Sequence, residues 1–207
     1  MPFRLPPAPA PGTSTPATHG RVLLPSARER FRIGSRLRRM ARAEQQAVEH
    51  ALALPAASNR RADLAAVRRR QQASLKSIVA RYGWPTETIY GSAAATAAVK
   101  IVCCCQDPAF VRQCRDLLLE AVHQGDCQLV HYAFVDDVLS IRARQRQVYG
   151  TQVDPRTLRP YPIRDSKAVN DLRTACGLPP LPGMPTDSGL ILPTTHTLTV
   201  SPRGYGC

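Results

Sequence analysis

Gln147, Tyr149, Thr151 and Gln152 crowd into six residues, Gln147-Val148-Tyr149-Gly150-Thr151-Gln152, where the chain changes direction. Each of the four can both donate and accept hydrogen bonds, as a site holding a polar small molecule or a peptide group requires. Alternation along an extended segment puts Tyr149 and Thr151 on one face and Val148, Gly150 and Gln152 on the other. Gly150 lets a ligand or a helix backbone come close. Two readings of the block stand: a wall of a polar pocket, or a turn whose polar groups cap neighbouring helices.

Other residues could join such a site. Asp136 and Asp137 precede the block on a predicted helix. Adjacent helical carboxylates point about 100° apart, so they are not a ready acid–base pair. Asp137 is expected either across the pocket from Tyr149 or in a surface ion pair with an arginine. Cys103 belongs to a run of three contiguous cysteines. A thiol nucleophile needs a base within hydrogen-bond reach, and His123 or His131 could supply one. Against this, no cysteine-protease signature surrounds Cys103, and apolar flanks raise a thiol pKa, which favours a buried small residue. Contiguous cysteines lack the Cys-x-x-Cys spacing of zinc sites, so no metal is expected. No phosphate loop, dinucleotide fingerprint, Ser-His-Asp cue or kinase motif is present, and no cofactor is implied.

The elements that must position these residues read as helices. Ser26 can cap a helix over about 27–54, interrupted at Gly34 and ended by Pro55. A second runs over about 61–82 and stops at Gly83-Trp84-Pro85-Thr86. A third, alanine-rich one over about 93–105 suits the middle of a bundle. Asp107-Pro108 starts a fourth, with Asp accepting orphan amides and Pro at the first helical position, and Gly125 closes it in the left-handed conformation. Asp126 is expected to cap a fifth, which carries Val130, Phe134, Val138 and Ile141. The period then becomes extended: Tyr149–Val153, a turn at 154–157 and Leu158–Ile163 read as a β-hairpin, with Pro160 and Pro162 confining its second arm to an edge. A short helix over 167–175 follows. The fold expected is mainly α, a four- or five-helix bundle-like domain over 26–181 with one hairpin over 149–163. The termini, 1–25 and 182–207, are rich in Pro, Ser, Thr and small residues and are expected to be disordered.

Charge adds a second theme. The net charge is +13, and up to Lys76 there are 15 basic residues against 4 acidic ones. Such asymmetry serves nucleic acid, an anionic surface or a targeting signal. Few aromatics accompany these arginines, which weakens single-strand binding, and no zinc-finger, basic-zipper or RNA-recognition pattern appears. Arg68, Arg69 and Arg70 read as a solvated face or an anion-binding patch. The acid-free start, 1–25, suits a linker-like tail, a transit peptide or an unfolded export signal. Seven cysteines, an odd number, suit no simple disulfide framework and imply a reducing, cytoplasmic setting unless the chain is exported. No apolar run is long enough to span a membrane.

Several segments in order resemble a known family: Arg39-Met40-Ala41, Glu44-Gln45, Tyr82-Gly83-Trp84-Pro85-Thr86, Asp107-Pro108-Ala109-Phe110 and the Gln147–Gln152 block. Pro162-Ile163, Val169-Asn170-Asp171-Leu172-Arg173 and Gly177-Leu178-Pro179-Pro180-Leu181 follow. The pattern, over about 36–181, is similar to a widespread bacterial family of mostly helical domains catalogued as a domain of unknown function. That family usually has a Gln-His-Ala-Asp-like run before the Asp-Pro pair, and a basic residue after the position of Asp137. Here Cys103 stands where the histidine falls, and Val138 where the basic residue does. The resemblance implies a diverged member with a polar pocket for an unknown small polar ligand or protein partner. An exported effector-like interaction protein is the alternative, and a basic nucleic-acid-associated protein a further one.

Overall fold

Local signals set the helix ends. In the computed structural model, which describes residues 23–53 and 58–184, α1 spans Ala27–Ala53. Its start is a capping box: Ser26 Oγ accepts from Glu29 N at 3.3 Å while Ser26 N donates to Glu29 Oε2 at 2.9 Å. Gly34 does not interrupt the helix. It is buried, and a Cβ there would lie 3.4 Å from the Tyr90 carbonyl oxygen and 3.7 Å from Ala94 Cβ, so the glycine lets backbones approach. Residues 1–22 and 185–207, which hold most of the expected disordered or targeting termini, lie outside the described residues.

The described residues form two compact units, dividing between Val135 and Asp136. In the first, α2 (Ser58–Tyr82), the one-turn α3 (Glu87–Tyr90), α4 (Ser92–Cys103) and α5 (Pro108–His123) follow α1. The alanine-rich α4 is the central element: it packs against α1, α2, α3 and α5, and eight of its residues, from Ala94 to Cys103, are buried. Small side chains permit that many close neighbours. Cys103, Cys104 and Cys105 are buried, as small apolar residues would be. Across α1 and α2, Gln71 Nε2 donates to Met40 O at 2.7 Å, and Arg68 Nε pairs with buried Glu44 at 3.0 Å. The Arg68–Arg70 run therefore divides: Arg68 joins the helices, and Arg69 and Arg70 are exposed. Asp107 caps α5, accepting from Ala109 N and Phe110 N, and also takes Lys76 Nζ at 2.6 Å.

The division falls within α6 (Leu129–Arg142), and the second unit continues with an irregular stretch, α7 (Val169–Ala175) and the segment to Met184. Here the expectation of four or five helices with one β-hairpin is corrected. There are seven helices and no β-strand among the described residues, and 149–163 is not a hairpin. Pairing is reduced to two isolated bridges, parallel at Gln147 and Ile163, antiparallel at Val153 and Pro160. The cause lies in the donors. Pro160 and Pro162 have no amide hydrogen to give, and the amides of Val148, Tyr149 and Thr151 point to the Asp137 carboxylate. The Gln152 amide points to the Gln147 side chain. With these donors absent or engaged elsewhere, pairing between the arms is left to scattered bonds such as Gln147 N to Pro162 O and Tyr161 N to Gln152 O, and no ladder propagates. No helix among the described residues is long and apolar enough to cross a membrane.

Candidate functional site

The Gln147–Gln152 block is built around a carboxylate. Asp137, on α6, is 0% exposed and accepts four hydrogen bonds. Val148 N donates to Oδ1 at 2.7 Å and Tyr149 N to the same oxygen at 3.1 Å. Thr151 gives its amide and its Oγ1 to Oδ2, both at 2.9 Å. A loop that wraps consecutive amides around an anion is a nest, and here the anion is the protein's own side chain. Burial, the largest effect, pushes the Asp137 carboxyl above the ordinary carboxylate range, while the donors from Thr151, Tyr149 and Val148 pull it down.

Gln147, also 0% exposed, takes the place of a missing strand. Its Oε1 accepts from Gln152 N at 2.9 Å, and its Nε2 donates to Gln152 O at 3.0 Å and to Tyr161 O at 2.9 Å. The Gln152 side chain donates to Thr151 Oγ1 at 3.1 Å. Tyr149 is buried. Gly150, at φ +66°, makes the turn; a Cβ there would fall 2.6 Å from Leu181 Cδ1.

Two further residues, given no role by the sequence reading, hold the block from behind. Arg173 on α7 is buried and donates to the carbonyls of Tyr149 (2.9 Å), Gly150 (3.1 Å) and Pro179 (2.6 Å). Burial lowers its guanidinium pKa, and the Asp137 charge opposes that. Asn170 accepts from Leu181 N at 2.7 Å and donates to Met184 O at 3.0 Å. Their only advance signal was membership of the Val-Asn-Asp-Leu-Arg and Gly-Leu-Pro-Pro-Leu segments.

Five of the six residues expected at the site, Gln147, Tyr149, Thr151, Gln152 and Asp137, are thus brought together in the second unit. The sixth, Cys103, belongs to the first unit, at the C-terminal end of α4.

The first unit holds a second constellation, which sequence reasoning touched only through His131. The imidazole of His131, in the first turn of α6, is 6% exposed. Its Nε2 lies 3.1 Å from Thr96 Oγ1 on α4, and its Nδ1 3.3 Å from Glu87 Oε1 on α3, an approach too oblique to count as a hydrogen bond. Gln128 N donates to Oε1 of that carboxylate at 3.3 Å, and Gln128 Nε2 to Oε2 at 3.0 Å. Burial lowers the His131 pKa below its ordinary 6.5, and the Glu87 charge opposes the shift. Burial likewise pushes the neighbouring Cys127 thiol up to about 11. Thr96 is half-buried, and the Glu87 side chain is 19% exposed. Residues 35 and 44 positions apart carry no local signature of this contact.

A family model described as a family of unknown function (DUF6624) matches residues 36–185. No curated protein and no solved structure matches the chain.

Proposed function

We propose that this chain, which belongs to that family of unknown function, is a binding protein whose polar block braces the fold and whose working surface is the basic face of α1. Cys103 and Val138 stand where the resemblance puts a histidine and a basic residue, so the block is read as diverged from any chemistry its relatives perform. The block's own donors support that reading, because they turn inward on Asp137 and on the backbone.

One observation carries the binding reading. Arg28, Arg32, Arg39 and Arg42 are all exposed and recur at helical spacing, so they share one face of α1. At 1.5 Å per residue the row is about 20 Å long. The acidic residues of α1 do not neutralise it. Glu29 is engaged by Ser26 and Tyr82, Glu44 by Arg68, and Glu49 by Gln45. Beside the row, Phe31 is 73% exposed. A straight row of unneutralised guanidinium groups matches a linear polyanion with regularly spaced phosphates, and a nucleic-acid duplex backbone has that form.

Fluorescence anisotropy of a labelled duplex with the full chain tests this. Engaging four phosphates gives a log–log salt slope of roughly −3 to −4. Replacing Arg28, Arg32, Arg39 and Arg42 with glutamine should flatten the slope and abolish binding near physiological salt. Failure to bind duplex even at low salt, or unchanged binding by the variant, would refute the reading.

A further inference from the structure

The Thr96–His131–Glu87 constellation is independent of the arginine face. Its geometry is that of a hydroxyl, a base and an orienting carboxylate in sequence. For Nε2 to accept from the Thr96 hydroxyl, the imidazole proton must sit on Nδ1, and Nδ1 is the nitrogen facing Glu87. The carboxylate is itself held by both nitrogens of Gln128, which keeps its charge 3.3 Å from Nδ1.

A second observation points to a ligand. Among the described residues, Ser74 Oγ, Thr86 Oγ1, Tyr90 OH and His131 Nδ1 are buried side-chain polar atoms with no hydrogen-bond partner, while Trp84 Nε1 is taken up by the Cys127 thiol. Three of these four belong either to the segment Thr86–Tyr90, which carries Glu87, or to His131 itself. Buried polar groups are ordinarily satisfied, and a concentration of exceptions marks a place where function outweighs stability. Thr86 and His131 are each more than nine-tenths buried.

We propose that Thr96, His131 and Glu87 form an acyl-transfer site acting on small activated esters. Thr96 Oγ1 bonds to the acyl carbon while its proton passes to His131 Nε2. The ester C–O bond breaks, and the leaving alcohol takes that proton. Water then adds to the acyl-threonine, again giving its proton to Nε2; the acid departs and the hydroxyl is restored. The sum is ester plus water to acid plus alcohol, with no redox change. Glu87 acts by positioning the imidazole and stabilising its transient positive charge.

The test uses the full chain and p-nitrophenyl acetate, with nitrophenolate release followed by absorbance and the acetyl group located by peptide mass spectrometry. Release above the buffer rate, an acetyl group on Thr96 and loss of both in the isosteric Thr96→Val are expected. Thr96→Ser should retain turnover, and the native rate should fall with acid as His131 becomes protonated. A native rate equal to buffer, or acetylation confined to lysine and cysteine with Thr96→Val as fast as native, overturns the proposal. Should Thr96→Val not fold, the adduct map of the native chain and the Thr96→Ser rate decide: no acetyl on Thr96 refutes the site.

Discussion

Gln147 pairs with Gln152 as one strand pairs with another, but through a side chain. The Gln147 amide meets the Gln152 backbone N–H and C=O at 2.9 and 3.0 Å and reaches Tyr161 O at 2.9 Å with its second hydrogen. This amide, with the two prolines and the donors drawn to Asp137, leaves the block extended without a sheet. Gln147→Leu should strand the Gln152 amide and the Tyr161 carbonyl, at about 1–3 kcal/mol for each group left unpaired, while Gln152 O keeps the Tyr161 N–H. Gln147→Glu should cost as much, because a carboxylate would face two carbonyls. Urea denaturation checks this. A shift in midpoint within experimental error would show that the contact is not formed.

Asp137 is the centre on which the second unit closes. Asp137→Asn replaces one acceptor oxygen with an NH2 group, which must face either the two amides at Oδ1 or the Thr151 pair at Oδ2. We expect a loss of at least about 2 kcal/mol and increased amide exchange at Val148, Tyr149 and Thr151. Unaltered exchange at these three amides would contradict the nest.

Gly150 tests the turn. At φ +66° any side chain is strained, and a Cβ would meet Leu181 Cδ1 at 2.6 Å. The leucine end is flexible, so the backbone supplies most of the cost, about 1–2 kcal/mol for Gly150→Ala. Adding Leu181→Ala should then cost less in the Gly150→Ala background than in the native chain, because it relieves the contact. Strict additivity in this double-mutant cycle would show that the two residues do not touch.

These relationships also show what was legible. The Ser26–Glu29 capping box, the Asp107-Pro108 start and the Gly125 stop are decided by neighbours within a few residues, and the sequence showed the cap positions and the stop. Tyr149–Val153 looked like a strand because alternation is a local property. The partners of its amides sit 11 to 14 residues earlier, on a helix, and nothing local reveals that. Asp126 was expected to cap α6. It instead accepts from Thr88 Oγ1 at 2.6 Å and from Glu87 N through its carbonyl, and α6 begins at Leu129. Thr96, on a helix chosen for its small residues, gave no reason to be paired with His131.

The last expectation concerns acid. Burial depresses the His131 pKa below 6.5, so between that value and its folded value the unfolded chain binds more protons than the folded one. Stability contributed by the neutral imidazole is therefore fully present above about pH 6.5 and declines as pH falls through this window, levelling once the folded form is also protonated. Glu87, 3.3 Å away, moderates the loss because it favours the imidazolium. A second, separate decline belongs to Glu29, whose pKa is lowered from 4.5 to about 2, chiefly by the Ser26 amide; its contribution is present above pH 4.5 and is lost towards pH 2. Melting temperatures between pH 8 and 5 should thus fall in the native chain, and the part due to His131 should vanish in His131→Gln, whose amide has no proton to gain. Below pH 4.5 the two proteins should lose stability in parallel, since the Ser26–Glu29 box is intact in both. A His131→Gln profile as steep as the native one between pH 6.5 and 5 would show that the imidazole is not buried neutral against Thr96.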